Sequence, residues 1–530
     1  MRRRTLDPVE AGAPYHVTAN VWLAPNSACA LAIDNSLCPY LAVTTDDPAS
    51  GGGNLLVGGG NLVTAQAGAW NVISGVFFMT PEQALGTLRL EITHLTQGEA
   101  VCVDDVAVVR STLEDFRPAS DAAIDALRKR DVQLNIGQTG GVAEPVHIAQ
   151  TRRAFPIGSV LNPGTMIDPV NGPQYKAFFS KYFNYCADEY AMVTAWETFI
   201  NDKLPFDHTV VNFCDTLDMP TRGHTIMGEL SDTFNGGWDV FTTPMDGTMQ
   251  AQLHERVLLW MGQYKDRVVD IEPLNEMLNS RLWPKILPCD GVGPCICDYA
   301  PACPDDIFPV KEGVSVHAWA FKLAASLAPA DRLVVNEYCV TGFCQPEQSN
   351  LSSFVKFVKN LNVETGGAVT GVADQGHYNL GANTAGPDTL LKLASIKEQL
   401  GADMDLWISE FDLDDPDPIS KADGYEHALR AFFASPAVSG IVLWGFWQGA
   451  QWRKDAYLVN QGERLFGING LLTKQWMTTV DAVVGTPYTV YYGAGGRCQA
   501  QFEVPVGAAP IAITPAGWKC TAGLPPVPAV

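Results

Sequence analysis

From residue 155 onward, short apolar segments alternate with longer amphipathic ones, and this repeat limits what the chain can fold into more than any other feature. Eight segments read as strands: "FPIGSVLN" (155–162), "FNYCADEY" (183–190), "MPTRGHTIM" (219–227), "RVVDIEPLNE" (267–276), "RLVVNEYCV" (332–340), "VTGVADQGHY" (369–378), "DLWISEFDL" (405–413) and "SGIVLWGFW" (439–447). Between them, stretches such as "MQAQLHERVLLWMGQYK" and "VHAWAFKLAASLA" carry apolar residues at helical spacing. Parallel strands need helical crossovers and are covered on both faces. The repeat therefore predicts an α/β fold, a TIM (β/α)8 barrel over residues 155–485. Functional side chains in that architecture gather at the C-terminal ends of the strands.

The segment before the barrel follows a different grammar. Residues 14–110 hold short alternating runs, "YHVTANVWLA", "CALAIDN", "YLAVTTDD", "NVISGVFFMT", "LGTLRLEITHL" and "AVCVDDVAVV". These predict an all-β, jelly-roll-like sandwich over residues 1–112. "GGGNLLVGGGNLV" (51–63) lacks the Lys-Ser/Thr of a phosphate loop and reads as a flexible turn. A short helix over 119–129, capped by Ser120, leads into a strand pair, so that 113–154 forms a linker; 486–530 reads as a small β tail closed by Cys498 and Cys520.

Charge narrows the partners. The 35 basic and 58 acidic residues leave a formal charge of −23, which argues against nucleic acid, because binding its backbone needs Lys and Arg. No apolar run approaches the ~20 residues of a membrane span, and no cofactor motif is present. A monomer without membrane or nucleic-acid partner is expected. Thirteen cysteines favour disulfides and an oxidising compartment. Cys289, Cys295, Cys297 and Cys303 do not have the spacing of zinc knuckles, so disulfides are preferred to metal there and no metal site is predicted. The odd count leaves a free thiol, most simply Cys102 or one of Cys186 and Cys214. Asn350-Leu351-Ser352 reads as a glycosylation acceptor and fits an extracellular or cell-wall location, although "MRRR" at the start is no secretory signal.

The strand ends carry the chemistry. The fourth ends in Asn275-Glu276 and the seventh in Glu410, followed two residues later by Asp412 on the same strand face. The third offers His224, the sixth Gln375 and His377, and the eighth Trp444 and Trp447 with Trp452 in its loop. Alone, each such residue is more often packing than chemistry. Together, two carboxyls, amide donors and indole faces are what glycoside hydrolysis requires.

The runs "RGHTIMGEL", "LNEML", "VVNEY", "QGHY", "WISEFD" and "LWGFWQGAQWRKDAYLV", in this order at six strand ends, resemble a plant-type endo-β-1,4-xylanase of glycoside hydrolase family 10. The upstream "VCVDDVAVV" is similar to the last strands of a family 22 or family 4 carbohydrate-binding module, whose first strands are not found here. The resemblance implies that Glu276 is the acid/base and Glu410 the nucleophile of a retaining reaction, with carboxyls about 5 to 5.5 Å apart. It implies further that Asn275 binds the sugar 2-hydroxyl, that His377 touches the nucleophile and is oriented by Asp412, and that His224, Gln375, Trp444, Trp452 and Glu189 bind substrate. A negative Glu410 favours the protonated form of Glu276, as like charges sharing a site do. The partner is then a xylan-like polysaccharide.

Three positions depart from the family pattern. Glu189-Tyr190-Ala191-Met192-Val193 replaces Glu-Asn-x-x-Lys, and Gly228 replaces a Trp four residues after His224. A wider, less polar grip on the non-reducing side is expected. The expected function is a secreted endo-β-glycanase. The alternatives are a barrel hydrolase for another β-linked glycan and a non-catalytic polysaccharide-binding protein.

Overall fold

The computed structural model describes residues 9–31, 38–46, 54–95, 101–130, 132–134, 146–150, 154–193, 206–228, 247–278, 316–342, 350–379 and 386–459, and C-terminal strands at 482–483, 487–492, 498–503, 511–513 and 516–520. Eight parallel strands close a barrel: Ile157–Leu161, Tyr185–Asp188, Thr221–Gly223, Asp270–Ile271, Arg332–Glu337, Gly371–Asp374, Asp405–Asp414 and Val438–Leu443. The eighth returns to the first through Ile157↔Ile441 and Ser159↔Leu443. Each lies on a segment expected from its apolar run.

Inside the barrel, Val160, Tyr185, Ala187, Val334, Ala373, Trp407 and Val442 pack together. A Cβ at Gly440 would stand 2.2 Å from the Trp407 ring, so the eighth strand makes room for that indole by carrying no side chain there. Outside, a larger apolar cluster joins the strands to the helices.

Two irregularities shape the mouth. The seventh strand pairs Ile408 with Ile441 and Phe411 with Leu443, so Ser409 and Glu410 hold one residue more than their partner strand. Such a bulge re-aims side chains. Ile408 and Phe411 belong to the outer cluster, while Ser409 and Glu410 both bond to Asn336. The sixth strand breaks at Gln375-Gly376, where Gly376 takes φ 76°, a conformation open to glycine. It resumes as His377–Asn379, with His377 opposite Asp412.

The N-terminal unit is a six-stranded antiparallel sheet in the order Arg89–Thr93, Tyr40–Asp46, Asn54–Leu62, Ala69–Phe78, Pro14–Leu23, Cys102–Arg110. Alternate residues of Pro14–Leu23 face its own core of Val17, Val21, Leu41, Val43 and Phe77. Two sequence expectations are corrected here. "CALAIDN" begins as the helix Ala28–Leu31, and much of the glycine-rich run is the strand Asn54–Leu62. Its glycines allow close strand contact: a Cβ on Gly75 would fall 1.9 Å from the Gly59 carbonyl oxygen.

The linker helix runs Leu113–Arg128 and starts earlier than expected. Ser120 is not its cap; it lies inside the helix with its hydroxyl donating to the Arg117 carbonyl at 2.9 Å. The strands after it pair with the C-terminal tail rather than with each other: Val146–Gln150 with Pro487–Tyr492, Lys129–Arg130 with Ala482–Val483, and Val132–Leu134 with Ile511–Ile513. Cys498 stands opposite Cys520 in the tail.

Disulfides join Cys29 to Cys38 and Cys186 to Cys214; Cys102 is free and exposed. Among the described residues the free thiol is Cys102, and the alternative at Cys186 or Cys214 is excluded. The Cys289–Cys303 segment lies outside the described residues. Asn350 does not read as a glycosylation acceptor, because it is buried and caps the helix Leu351–Thr365 in a reciprocal pair with Ser353. Among the described residues no helix is long and apolar enough to cross a membrane.

A polar seam joins sheet and barrel. The Ser74 hydroxyl donates to Asp388 at 2.5 Å and lies 2.9 Å from His16 Nε2. Lys392 pairs with Asp388 at 2.8 Å. Ser395 and Gln399 both donate to the Val63 carbonyl, at 3.3 and 3.0 Å.

Candidate active site

The fourth strand delivers Asn275 and Glu276 to the mouth. Glu276 adopts φ 52°, a left-handed conformation that a residue with a side chain rarely takes without support. Its amide donates to the Asn336 carbonyl at 3.1 Å, and Asn275 bridges Asn336 as a parallel partner.

From there a line of amides connects the two carboxyls. Gln375 Nε2 donates to Glu276 Oε1 at 3.0 Å and to Asn275 Oδ1 at 3.4 Å. Asn336 Nδ2 donates to Asn275 Oδ1 at 3.0 Å and to Glu410 Oε1 at 2.7 Å. Ser409 completes the anchor by donating to Asn336 Oδ1 at 2.6 Å.

Glu410 is 3% exposed and faces cations on two sides. His377 Nε2 lies 3.2 Å from Oε2, and His377 Nδ1 lies 3.0 Å from Asp412 Oδ1. His224 Nδ1 lies 3.9 Å from Glu410 Oε1 and 2.9 Å from Glu272 Oε2, which also receives Arg222 at 2.7 Å. Burial alone would push the Glu410 carboxyl up, but the His377 hydrogen bond and the fields of His224, His377 and Arg222 outweigh it, so its pKa falls below the ordinary range. Burial likewise opposes the charge on His377. There Asp412 and Glu410 win, raising it to about 10. His224 is raised too, with Glu272 overcoming burial.

Aromatic walls complete the site. Trp444 stands edge-on to His224, ring centres 4.9 Å apart. Trp452 is 59% exposed, donates Nε1 to Asp412 Oδ2 at 2.7 Å, and meets His377 edge-on at 5.0 Å. Trp447 does not join them; it is buried in the helix layer beside Tyr175.

Glu189 ends the second strand and accepts from Asn162 Nδ2 at 2.7 Å, apart from the amide line. Val193 is buried, and a Cβ on Gly228 would stand 3.0 Å from its Cγ2, so these two departures from the family pattern are neighbours. Arg256 donates to the Val193 carbonyl and to that of Ile226, two residues before Gly228.

Sequence reasoning assigned no role to Asn336, Ser409, Arg222, Glu272 or Arg453. A signal for Asn336 was present: Val334 faces the barrel interior, and strand alternation carries that orientation to residue 336. Among the described residues no group of three or more His, Cys, Asp or Glu could hold a metal ion.

The geometry unites a buried carboxylate with cationic neighbours and a second carboxyl held by amides, beside exposed indole. Comparison with known proteins bears on this constellation. Endo-1,4-beta-xylanase 1 of Arabidopsis thaliana is 26% identical over 63% of this chain and 32% of its own length. Anti-sigma-I factor RsgI6 of Acetivibrio thermocellus is 25% identical over 67% of this chain and 41% of its own. The chain thus spans about a third to two fifths of the length of these two relatives. Superposition on xylanase 10B from Thermotoga petrophila RKU-1, in complex with xylobiose, covers 61% of this chain and 95% of that one at 17% identity and a TM-score of 0.46. The profile of Glycosyl hydrolase family 10 matches residues 148–471, which include all eight barrel strands and the loop after the eighth, and the chain belongs to that family.

Proposed function

We propose that the chain is an endo-acting β-glycanase that cleaves β-1,4-xylan or a closely related wall polysaccharide by retaining double displacement. Glu410 is the nucleophile and Glu276 the acid/base. The observation that carries this reading is the amide line Gln375–Asn275–Asn336, which holds both carboxyls at one mouth while cations keep Glu410 ionised. In the first step Glu410 attacks the anomeric carbon and Glu276 protonates the departing oxygen; in the second, water attacks the same carbon, its proton passes to Glu276, and the bond to Glu410 breaks to release the carboxylate. Asn275, His224, Gln375, His377, Trp444, Trp452 and Glu189 bind the sugars, and Asp412 supports the nucleophile through His377. Xylan is the preferred substrate because several relatives carry the name endo-1,4-beta-xylanase. The disulfides Cys29–Cys38 and Cys186–Cys214 support a secreted protein, and the N-terminal sheet is assigned to carbohydrate binding.

The experiment is kinetic. Glu410→Ala abolishes turnover of every substrate, whereas Glu276→Ala spares the first step for aryl glycosides whose leaving groups need no protonation. Equal loss by Glu276→Ala on good and poor leaving groups sinks the acid assignment.

A second reading, polysaccharide binding without hydrolysis, draws on Tyr190, Val193 and Gly228 and on a relative named as an anti-sigma factor. Reducing-sugar release across a polysaccharide panel separates the two.

A further inference from the structure

The loop after the eighth strand sends two donors to one buried carboxylate. Asp412, 0% exposed, accepts from Trp452 Nε1 on Oδ2 and from Arg453 Nη1 at 2.7 Å on Oδ1, the oxygen that also lies 3.0 Å from His377 Nδ1. The same Arg453 nitrogen donates to the Tyr378 carbonyl at 2.9 Å, and Arg453 Nη2 donates to Asn379 Oδ1. Tyr378 and Asn379 follow His377 in the three-residue extension beyond the strand break. The seventh strand pairs with that extension. Arg453 is therefore bonded both to the carboxylate that orients the histidine and to the backbone that carries it.

We propose that Arg453 is a positioning residue for the nucleophile: by clamping Asp412 to Tyr378 and Asn379, it fixes His377 against Glu410 and locks the Trp452 wall to the same point. This rests on the reading of Glu410 as nucleophile. A planar guanidinium can bridge a carboxylate, a carbonyl and an amide oxygen in fixed directions, which a single ammonium cannot.

The charged groups around Glu410 are His377 from the sixth strand, His224 and Arg222 from the third, Glu272 behind His224, and Glu276 across the amides. Around Asp412 are His377 and Arg453, with the Tyr425 hydroxyl and Asp414 nearby. Of the cations facing Glu410, only His377 is held through Asp412. Loosening Arg453 reaches Glu410 through that histidine, leaving His224 and Arg222 as they are. A Glu410 that keeps its burial and loses the His377 bond protonates more readily.

The test uses the full chain and the variants Arg453→Ala, Arg453→Lys, Asp412→Asn and the Arg453→Ala, Asp412→Asn double. The readouts are kcat, KM and the pH profile on a short β-1,4-linked xylo-oligosaccharide, with NMR titration of the 15N-labelled histidine rings. Arg453→Ala is expected to lower kcat about tenfold or more, change KM less than about threefold, move the acid limb of kcat/KM upward and alter the His377 titration. Arg453→Lys recovers part of the loss, and the double variant is no worse than Asp412→Asn. An unmoved acid limb with an unmoved His377 titration overturns the proposal, as do fully additive losses. If Arg453→Ala does not fold, Arg453→Lys decides by the same readouts. Should the natural chain hydrolyse no glycan, the functional reading fails, and the His377 titration still judges Arg453.

Discussion

The side-chain amide of Asn336 reaches Glu410 Oε1 at 2.7 Å. A hydrogen bond to a charged group contributes roughly 1.5 to 3 kcal/mol, and this one also fixes the orientation of the carboxylate. Asn336→Ala is expected to lower kcat/KM by about ten-fold to a hundred-fold. Asn336→Asp sets a second carboxylate against Glu410 and moves the acid limb of the pH profile upward. Steady-state kinetics from pH 4 to 8 checks both.

Opposite shifts at Glu410 and His377 define a pH window for stability. Glu410 titrates below its ordinary value, so its contribution is present above the unfolded carboxyl pKa and is lost as pH falls through the folded one. His377 is raised to about 10, so its contribution is complete below the unfolded value of 6.5 and is lost as pH rises through 10. The stability difference between the natural chain and His377→Gln is therefore expected to shrink between pH 6.5 and 10. Denaturant unfolding at fixed pH steps measures it, and a constant difference contradicts the pairing.

Cys186 on the second strand is bonded to Cys214 on the helix Thr209–Thr216, closing a loop of separation 28. Chain-entropy arguments assign about 3 to 4 kcal/mol to such a closure. Cys186→Ala with Cys214→Ala should lose about that much in denaturant unfolding. A loss under about 1 kcal/mol would mean that the reduced chain keeps this region ordered.

Val193 and Gly228 occupy adjoining positions, and a side chain added at residue 228 alone meets the Val193 methyl at once. The pair must change together. Val193→Lys with Gly228→Trp is expected to raise kcat/KM on linear xylo-oligosaccharides by about tenfold or more, through a charged donor and a stacking face. No gain over the natural chain ends the idea of an altered glycone grip.

The barrel was legible because parallel strands buried on both faces leave continuous apolar runs, as in "RLVVNEYCV". The amide line was less so. Plain alternation along "DLWISEFDL" sets Glu410 with Leu406 and Ile408, which pack outward. Only the bulge at Ser409-Glu410 turns Glu410 inward, and a bulge depends on the register of the neighbouring strand. Asp412 was readable because it lies beyond the bulge, two residues from Glu410. The N-terminal glycines misled for a related reason: they mark close strand approach at Gly59 and Gly75, which local composition does not distinguish from a turn. Asn350 matched an acceptor motif, but it is buried and its side-chain oxygen caps a helix.

The seam between sheet and barrel bears on how this pair could be recombined. Asp388 and Lys392 are buried under Ser74 and His16, and the Val63 carbonyl is the acceptor for Ser395 and Gln399. Linkers normally allow a β module to be exchanged as an independent cassette. Here a replacement would have to bring a hydroxyl and a carbonyl to those two places on the helix Gly386–Leu400. The sheet behaves as a graft with a matched cut surface, and the helix it covers starts seven residues after Asn379, where Arg453 anchors the strand that carries His377.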